Sequence, residues 1–260
     1  MRLFDLSLPL EESLSENQPL QIDHISHVET AAGMAAYFGA QASDLVGGMG
    51  GAEDHFNGSP HSGTHIDAPW HGYPTTNGEP ARTIDELPVE WFFADGVLLD
   101  MRHLERGSIA SVEDIQEALA HIGYTLKPQD IVLIQTGADK LWGSAEYMLA
   151  GIGMSAAATR WLIAQGIRVM GIDAWGWDQP FWAMRQRYMQ SGDPFVIWEA
   201  HRVSKDAEYC HIERLANLDL LPRPYGFKLS CFPIKLHKGS AGWSRVVAIF
   251  DDEVVPQRVP

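Results

Sequence analysis

The chain has 260 residues, 45% of them hydrophobic and 20% charged, a composition that suits a globular fold with a substantial core and is read as one domain over 1–260. Its 34 acidic against 19 basic residues leave a formal charge of −15, so there is no basic surface to displace counterions, which argues against nucleic acid and anionic membrane as partners. Cys210 and Cys231 are too few for a disulfide framework, and no apolar run has the form of a signal peptide or the length of a membrane helix, so a cytoplasmic location is expected.

Residues 2–8 alternate weakly and then meet Pro9, as an opening strand does. From Gln18 to Gly58 the pattern is irregular and carries seven glycines, which predicts mobile connections. Phe56 stands near the end of this stretch, either lining a pocket or sitting in a turn without ligand contact.

The densest chemistry in the chain follows at Ser59-Pro60-His61-Ser62-Gly63-Thr64-His65-Ile66-Asp67-Ala68-Pro69-Trp70-His71. Pro60, Gly63 and Pro69 disfavour a helix. An extended strand would point His61, Gly63, His65 and Asp67 to one face, with Gly63 leaving room for an ion between two imidazoles. Two imidazoles and a carboxylate suit zinc, manganese, iron or nickel. Pro69 is expected to end the strand, leaving His71 beside the ion as a group for proton transfer.

This run resembles the H-x-G-T-H-x-D-x-P-x-H signature of the metal-dependent cyclase family, which includes kynurenine formamidases and isatin hydrolases, and every fixed position of the signature is present. The Asp5-Leu6-Ser7 start is similar to the family's as well. The resemblance implies an α/β fold, a swivelling β/β/α domain whose mixed sheet has flanking helices.

Gly96–Asp100 reads as an apolar strand, and 111–123 as a helix with Ser111 as N-cap, Val112, Ile115, Leu119 and Ile122 on one side and Gly123 as its stop. The run 130–137 is a buried strand, 155–165 a second helix and 167–173 a third strand. Strands alternating with helices argue for α/β, while further β-like runs at 226–236 and 244–250 argue against a simple doubly wound sheet. Trp175, Trp177, Phe181 and Trp182 follow the third strand, where rings form either an apolar slot for a flat substrate or core and subunit contacts. Family members are similar here in a Gly-x-Asp…Asp-x-Pro pattern, matched by Gly171, Asp173, Asp178 and Pro180, with Asp173 read as orienting a ligand histidine.

Formamidase-like relatives use a histidine and a later glutamate as ligands of a second ion that shares the signature aspartate, which the resemblance carries onto His201 and Glu213. His211 shares strand parity with Glu213 and ranks as the rival ligand. In isatin hydrolases, associated with one manganese, the counterpart of His201 serves the substrate. Manganese is therefore the favoured ion, with zinc the alternative.

No G-x-G-x-x-G, Walker or G-x-S-x-G pattern competes with a metal-dependent hydrolase. The expected reaction is hydrolysis of a small aromatic amide, most simply the opening of isatin to isatinate, with His71 passing the proton to the departing nitrogen. Phe56, Trp70, Trp175 and His201 are the expected substrate contacts, and a homodimer is the expected assembly. The alternatives are an arylformamidase acting on N-formylkynurenine and a metal-dependent binding protein without turnover.

Overall fold

In the computed structural model, which describes residues 1–251, the apolar runs read as strands become parallel neighbours. Phe93–Asp100, Ile131–Gln135 and Val169–Ile172 lie side by side, and Cys210–Glu213 continues the row. Each crossover carries a helix, Val112–Ile122, Ala156–Ala164 and Phe181–Ser191 in turn, as parallel pairing requires. Every residue of Ile131–Gln135 is buried, because both faces of this row are covered. Val132 and Ile134 join the core beneath the helices, with Ile115, Leu119 and Leu162. Ile131 and Leu133 face a second core, built with Leu6 and with Ile66, Phe227 and Phe250 from the outer strands.

Antiparallel strands extend the row to a nine-stranded mixed sheet. Tyr225–Ser230, Val247–Phe250 and Arg2–Asp5 lie on one side, His65–Asp67 and Ala241–Trp243 on the other. The expected α/β fold with a mixed sheet and flanking helices is what forms. Helix Val112–Ile122 starts as its sequence predicts: the Ser111 hydroxyl accepts from Asp114 N at 3.1 Å, and Gly123 closes it at φ +65°.

Two stretches differ from their reading. Residues 18–58 contain a hairpin, Gln21–Ile25 against Glu53–Asn57, and a helix, His27–Tyr37. That helix is alanine-rich and opens with a Ser26/Glu29 capping box, so propensity and capping carry it where an apolar stripe does not. The strand expected to run to Leu236 stops at Ser230. Among the described residues no helix is long and apolar enough to cross a membrane.

Candidate metal centre

The His65–Asp67 strand pairs antiparallel with Cys210–Glu213, setting His211 opposite Asp67 and Glu213 opposite His65. Side chains two apart on a strand share a face. Two such pairs on adjoining strands therefore stack four ligating groups on one face, all of them buried.

The regular strand does not reach back to His61. Residues 59–63 form a turn, and Gly63 has φ +59°, a left-handed conformation that favours glycine. A Cβ there would meet Leu10 Cδ2 at 2.8 Å, so this glycine serves the turn and a close approach rather than a gap between imidazoles. Glu16 accepts from Gly63 N at 2.8 Å, and Arg214 Nη1 bonds both Glu16 and the His61 carbonyl. The turn returns His61 to the site from the side, with Nδ1 at 2.7 Å from Asp67 Oδ1 and Nε2 at 2.9 Å from Ser240 Oγ.

Pro69 ends the strand by opening a helical turn, Pro69–Gly72, at its N1 position. One turn beyond the aspartate, His71 Nε2 lies 3.5 Å from Asp67 Oδ2. A Cβ on Gly72 would strike the His201 carbonyl oxygen at 2.3 Å, so glycine lets this turn pack directly on the segment that carries His201.

Asp178 orients His201. Its carboxylate lies 2.6 Å from Nδ1 and accepts from the backbone N–H groups of Ala200 and His201 at 2.9 and 3.0 Å. Asp173, given that role on the sequence, instead accepts from Thr136 and Gly137, 2.6–2.8 Å away. The pattern's second aspartate therefore holds the ring. With Nδ1 engaged, His201 Nε2 faces Asp67 Oδ2 at 3.5 Å and Glu213 Oε1 at 3.4 Å.

Both carboxylate oxygens of Asp67 and Nε2 of His65 are buried without a hydrogen bond, although imidazole nitrogens surround that carboxylate at 2.7–3.5 Å. His65 Nδ1 contacts the Gly63 carbonyl at 2.9 Å, the bond that fixes Nε2 as a lone pair. Buried lone pairs converging on one place are costly without a cation. The donor set thus fits a divalent metal ion. Burial alone would raise Asp67, but His71, His61 and His65 outweigh it and hold the carboxyl well below its ordinary range. Burial pushes His71 down to about 4, leaving a neutral imidazole at pH 7.

The side chains fall into overlapping groups. Asp67, His201, His211 and Glu213 form one, and His61, Asp67 and His71 another, each with its donors within 4.8 Å of one another. His65 bridges them, with Nε2 3.2 Å from Asp67 and 3.6 Å from Glu213. His211, ranked below Glu213 on the sequence, is therefore in the cluster; shared parity was its signal.

A cavity of about 280 Å³ opens on this cluster and is lined by His61, His71, His201 and Glu213. Trp175, Phe181 and Trp198 add rings to its lining. Phe181 meets Trp175 edge-on at 5.0 Å, and Trp198 stacks on His201 at 4.8 Å. Trp198 was not singled out on the sequence, where nothing marks its φ of +57°. Two expected contacts lie elsewhere: Phe56 sits exposed on the hairpin against Trp243, 5.8 Å away, and Trp70 is half exposed outside the cavity. Trp70 neighbours His71 on a helical turn, and adjacent helical residues point about 100° apart.

No protein of curated function matches the chain in sequence. Among solved structures it is similar to isatin hydrolase A from Labrenzia aggregata bound to benzyl benzoate, at 24% identity and a TM-score of 0.75, over 96% of this chain and 93% of that one. Isatin hydrolase A from Ralstonia solanacearum is similar at 24% identity and a TM-score of 0.75, over 96% and 92% of the two chains. A structure described as a potential metal-dependent hydrolase with cyclase activity is similar at 20% identity and a TM-score of 0.64, over 96% and 98%. These likenesses establish a shared fold. The family described as "Putative cyclase" matches residues 4–179, and with the signature motif, the mixed sheet and the buried cluster in place, the chain belongs to the cyclase family.

Proposed function

We propose that this protein is a divalent-metal-dependent hydrolase of a small aromatic amide, with ring opening of isatin as the leading reaction. The observation that carries the reading is a cavity lined both by His61, His71, His201 and Glu213 and by aromatic rings, next to a cluster in which His65 Nε2 and both Asp67 oxygens are buried without a hydrogen bond. His61, His65 and Asp67 hold the ion, and His201 and Glu213 hold either a second ion or the substrate. A bound ion, manganese or zinc, supplies Lewis acidity and brings the pKa of water towards about 7.

His71, neutral at working pH, takes the proton released by the attacking water and returns it to the departing nitrogen, which leaves poorly unless protonated. Trp175, Phe181 and Trp198 give a flat, rigid ring contact area at little entropic cost. The names of the similar structures support the choice of isatin. We extend the proposal to a cytoplasmic homodimer. The two buried free thiols fit a reducing compartment, and exposed Tyr37, Phe38 and Val46 offer apolar surface for self-association. Sedimentation velocity and cell fractionation check these two points.

The test is kcat/KM for isatin and for N-formylkynurenine on one preparation, before and after chelation. Turnover of isatin that vanishes on chelation and returns with metal is expected. A tenfold preference for the formamide, about 1.4 kcal/mol in transition-state stabilisation, would replace the lactam assignment with the arylformamidase one. Undiminished turnover without metal would remove the metal-dependent reading altogether.

A further inference from the structure

The imidazoles around the Asp67 carboxylate do not all present the same nitrogen. His65, His71, His201 and His211 turn Nε2 towards it, at 3.2–3.5 Å, whereas His61 turns Nδ1, which lies 2.7 Å from Asp67 Oδ1. That oxygen has no hydrogen bond, so the two atoms meet as neighbouring acceptors rather than as donor and acceptor. Nδ1 adjoins Cγ, and a ring that offers it holds its backbone close to the ion and sends its far nitrogen away. The turn at 59–63 supplies that approach, tied by Arg214 to the His61 carbonyl.

The far nitrogen of His61, Nε2, ends 2.9 Å from Ser240 Oγ, 179 positions along the chain. Ser240 is itself held in place. Its carbonyl accepts from Ala68 N at 2.9 Å, and the next residue, Ala241, pairs with Asp67 from the edge strand of the sheet. The hydroxyl is thus placed by the same strand that carries the aspartate. Two other rings have their second nitrogens engaged, His65 Nδ1 at 2.9 Å from the Gly63 carbonyl and His201 Nδ1 at 2.6 Å from Asp178. A metal-binding imidazole almost always donates through its second nitrogen, and a serine hydroxyl can accept such a donation. Of these three supports Ser240 is the one that can be removed without moving backbone or taking a charge out of the core.

Resting on the metal-dependent reading above, we infer that Ser240 is the positioning residue for His61: its hydroxyl accepts from Nε2–H, which fixes the tautomer with its lone pair on Nδ1 and makes Nδ1 the atom that holds the ion. Ser240 does not line the cavity, so it acts through the imidazole and not on the substrate. Loss of the hydroxyl leaves both tautomers and more than one ring orientation open, and the ion is bound less tightly although every ligand is still present.

The experiment uses chelator-stripped protein and zinc as the probe, because a diamagnetic ion leaves imidazole resonances readable. Wild type, Ser240→Ala and Ser240→Thr are titrated for the zinc dissociation constant. Zinc-loaded wild type with isotope-labelled histidine is also read by long-range proton–nitrogen correlation, a His61→Gln variant identifying the His61 signals. Expected are a His61 ring protonated on Nε2 and ligated through Nδ1, a dissociation constant raised about 10- to 100-fold in Ser240→Ala, and recovery of the wild-type constant in Ser240→Thr, which keeps the hydroxyl. An unchanged constant in Ser240→Ala overturns the inference, and so does a loss that threonine fails to restore. A His61 ring ligated through Nε2 overturns it in wild type alone, so the outcome does not depend on Ser240→Ala folding. Wild type that binds no zinc sinks the metal-dependent reading as well; zinc held with the other His61 nitrogen sinks this inference alone.

Discussion

His71 lines the cavity, with Nε2 3.5 Å from Asp67 Oδ2 and its ring facing Trp198 at 5.4 Å. A group so placed is suited to moving protons. His71→Ala is expected to keep its bound metal and to lose roughly 10²- to 10⁴-fold in kcat; metal analysis beside kinetics checks this, and parallel loss of metal would make the residue a ligand. Asp173 has a different consequence, for stability. Burial pushes its carboxyl up to about 7 from an ordinary 3.8, although Thr136 and Gly137 donate to it. Below pH 3.8 both folded and unfolded chains hold this proton and its contribution is complete. As pH rises towards about 7 the unfolded chain has released the proton while the folded chain keeps it, so that contribution is progressively lost. Urea midpoints at pH 5 and pH 8 are expected to fall more in wild type than in Asp173→Asn. Equal falls would show that the carboxyl is ionised throughout.

At the scale of elements, the turn at 59–63 shows how far the sequence can be read. Gly63→Ala forces a side chain into left-handed backbone, at a cost of about 1–2 kcal/mol, and against Leu10. The variant is expected to unfold at lower urea and to bind metal more weakly through displaced His61; unchanged values for both would show that the turn tolerates the strain. The motif told which residue types gather, but its strand-parity explanation applies only to His65 and Asp67, since the regular strand has three residues. Helix Val112–Ile122 was legible from end to end, because cap, apolar stripe and glycine stop are all local signals. The pairing of His65–Asp67 with Cys210–Glu213 was not, since no local pattern names a strand's partner. That pairing is what brings His211 into the cluster. Trp198 was hidden for a similar reason: its place depends on where the chain turns after Phe181–Ser191.

Across the whole molecule, Glu16 and Arg214 form a buried ion pair at 2.5 Å between residues 198 positions apart. Arg214 also bonds the His61 carbonyl and lies over the Trp175 ring at 4.8 Å, so one guanidinium ties the N-terminal segment, the motif turn and the aromatic wall together. Glu16→Gln leaves that cation buried without its counter-charge, and a loss of about 3–5 kcal/mol is expected in urea unfolding. A loss below 1 kcal/mol would mean that water reaches the pair. The sheet's connectivity also bears on how the chain reaches this state. Its parallel strands are joined by nearby crossovers, whereas His65–Asp67 must find a partner that follows it by more than 140 positions. Contacts between distant parts of a chain form slowly, because the intervening loop must be closed before they are rewarded. The metal cluster is therefore expected to assemble after the parallel row that its strands border. An ion that binds only the finished cluster draws the last strand home by mass action, so scarcity of metal during synthesis would limit the yield of folded chain before it limits turnover.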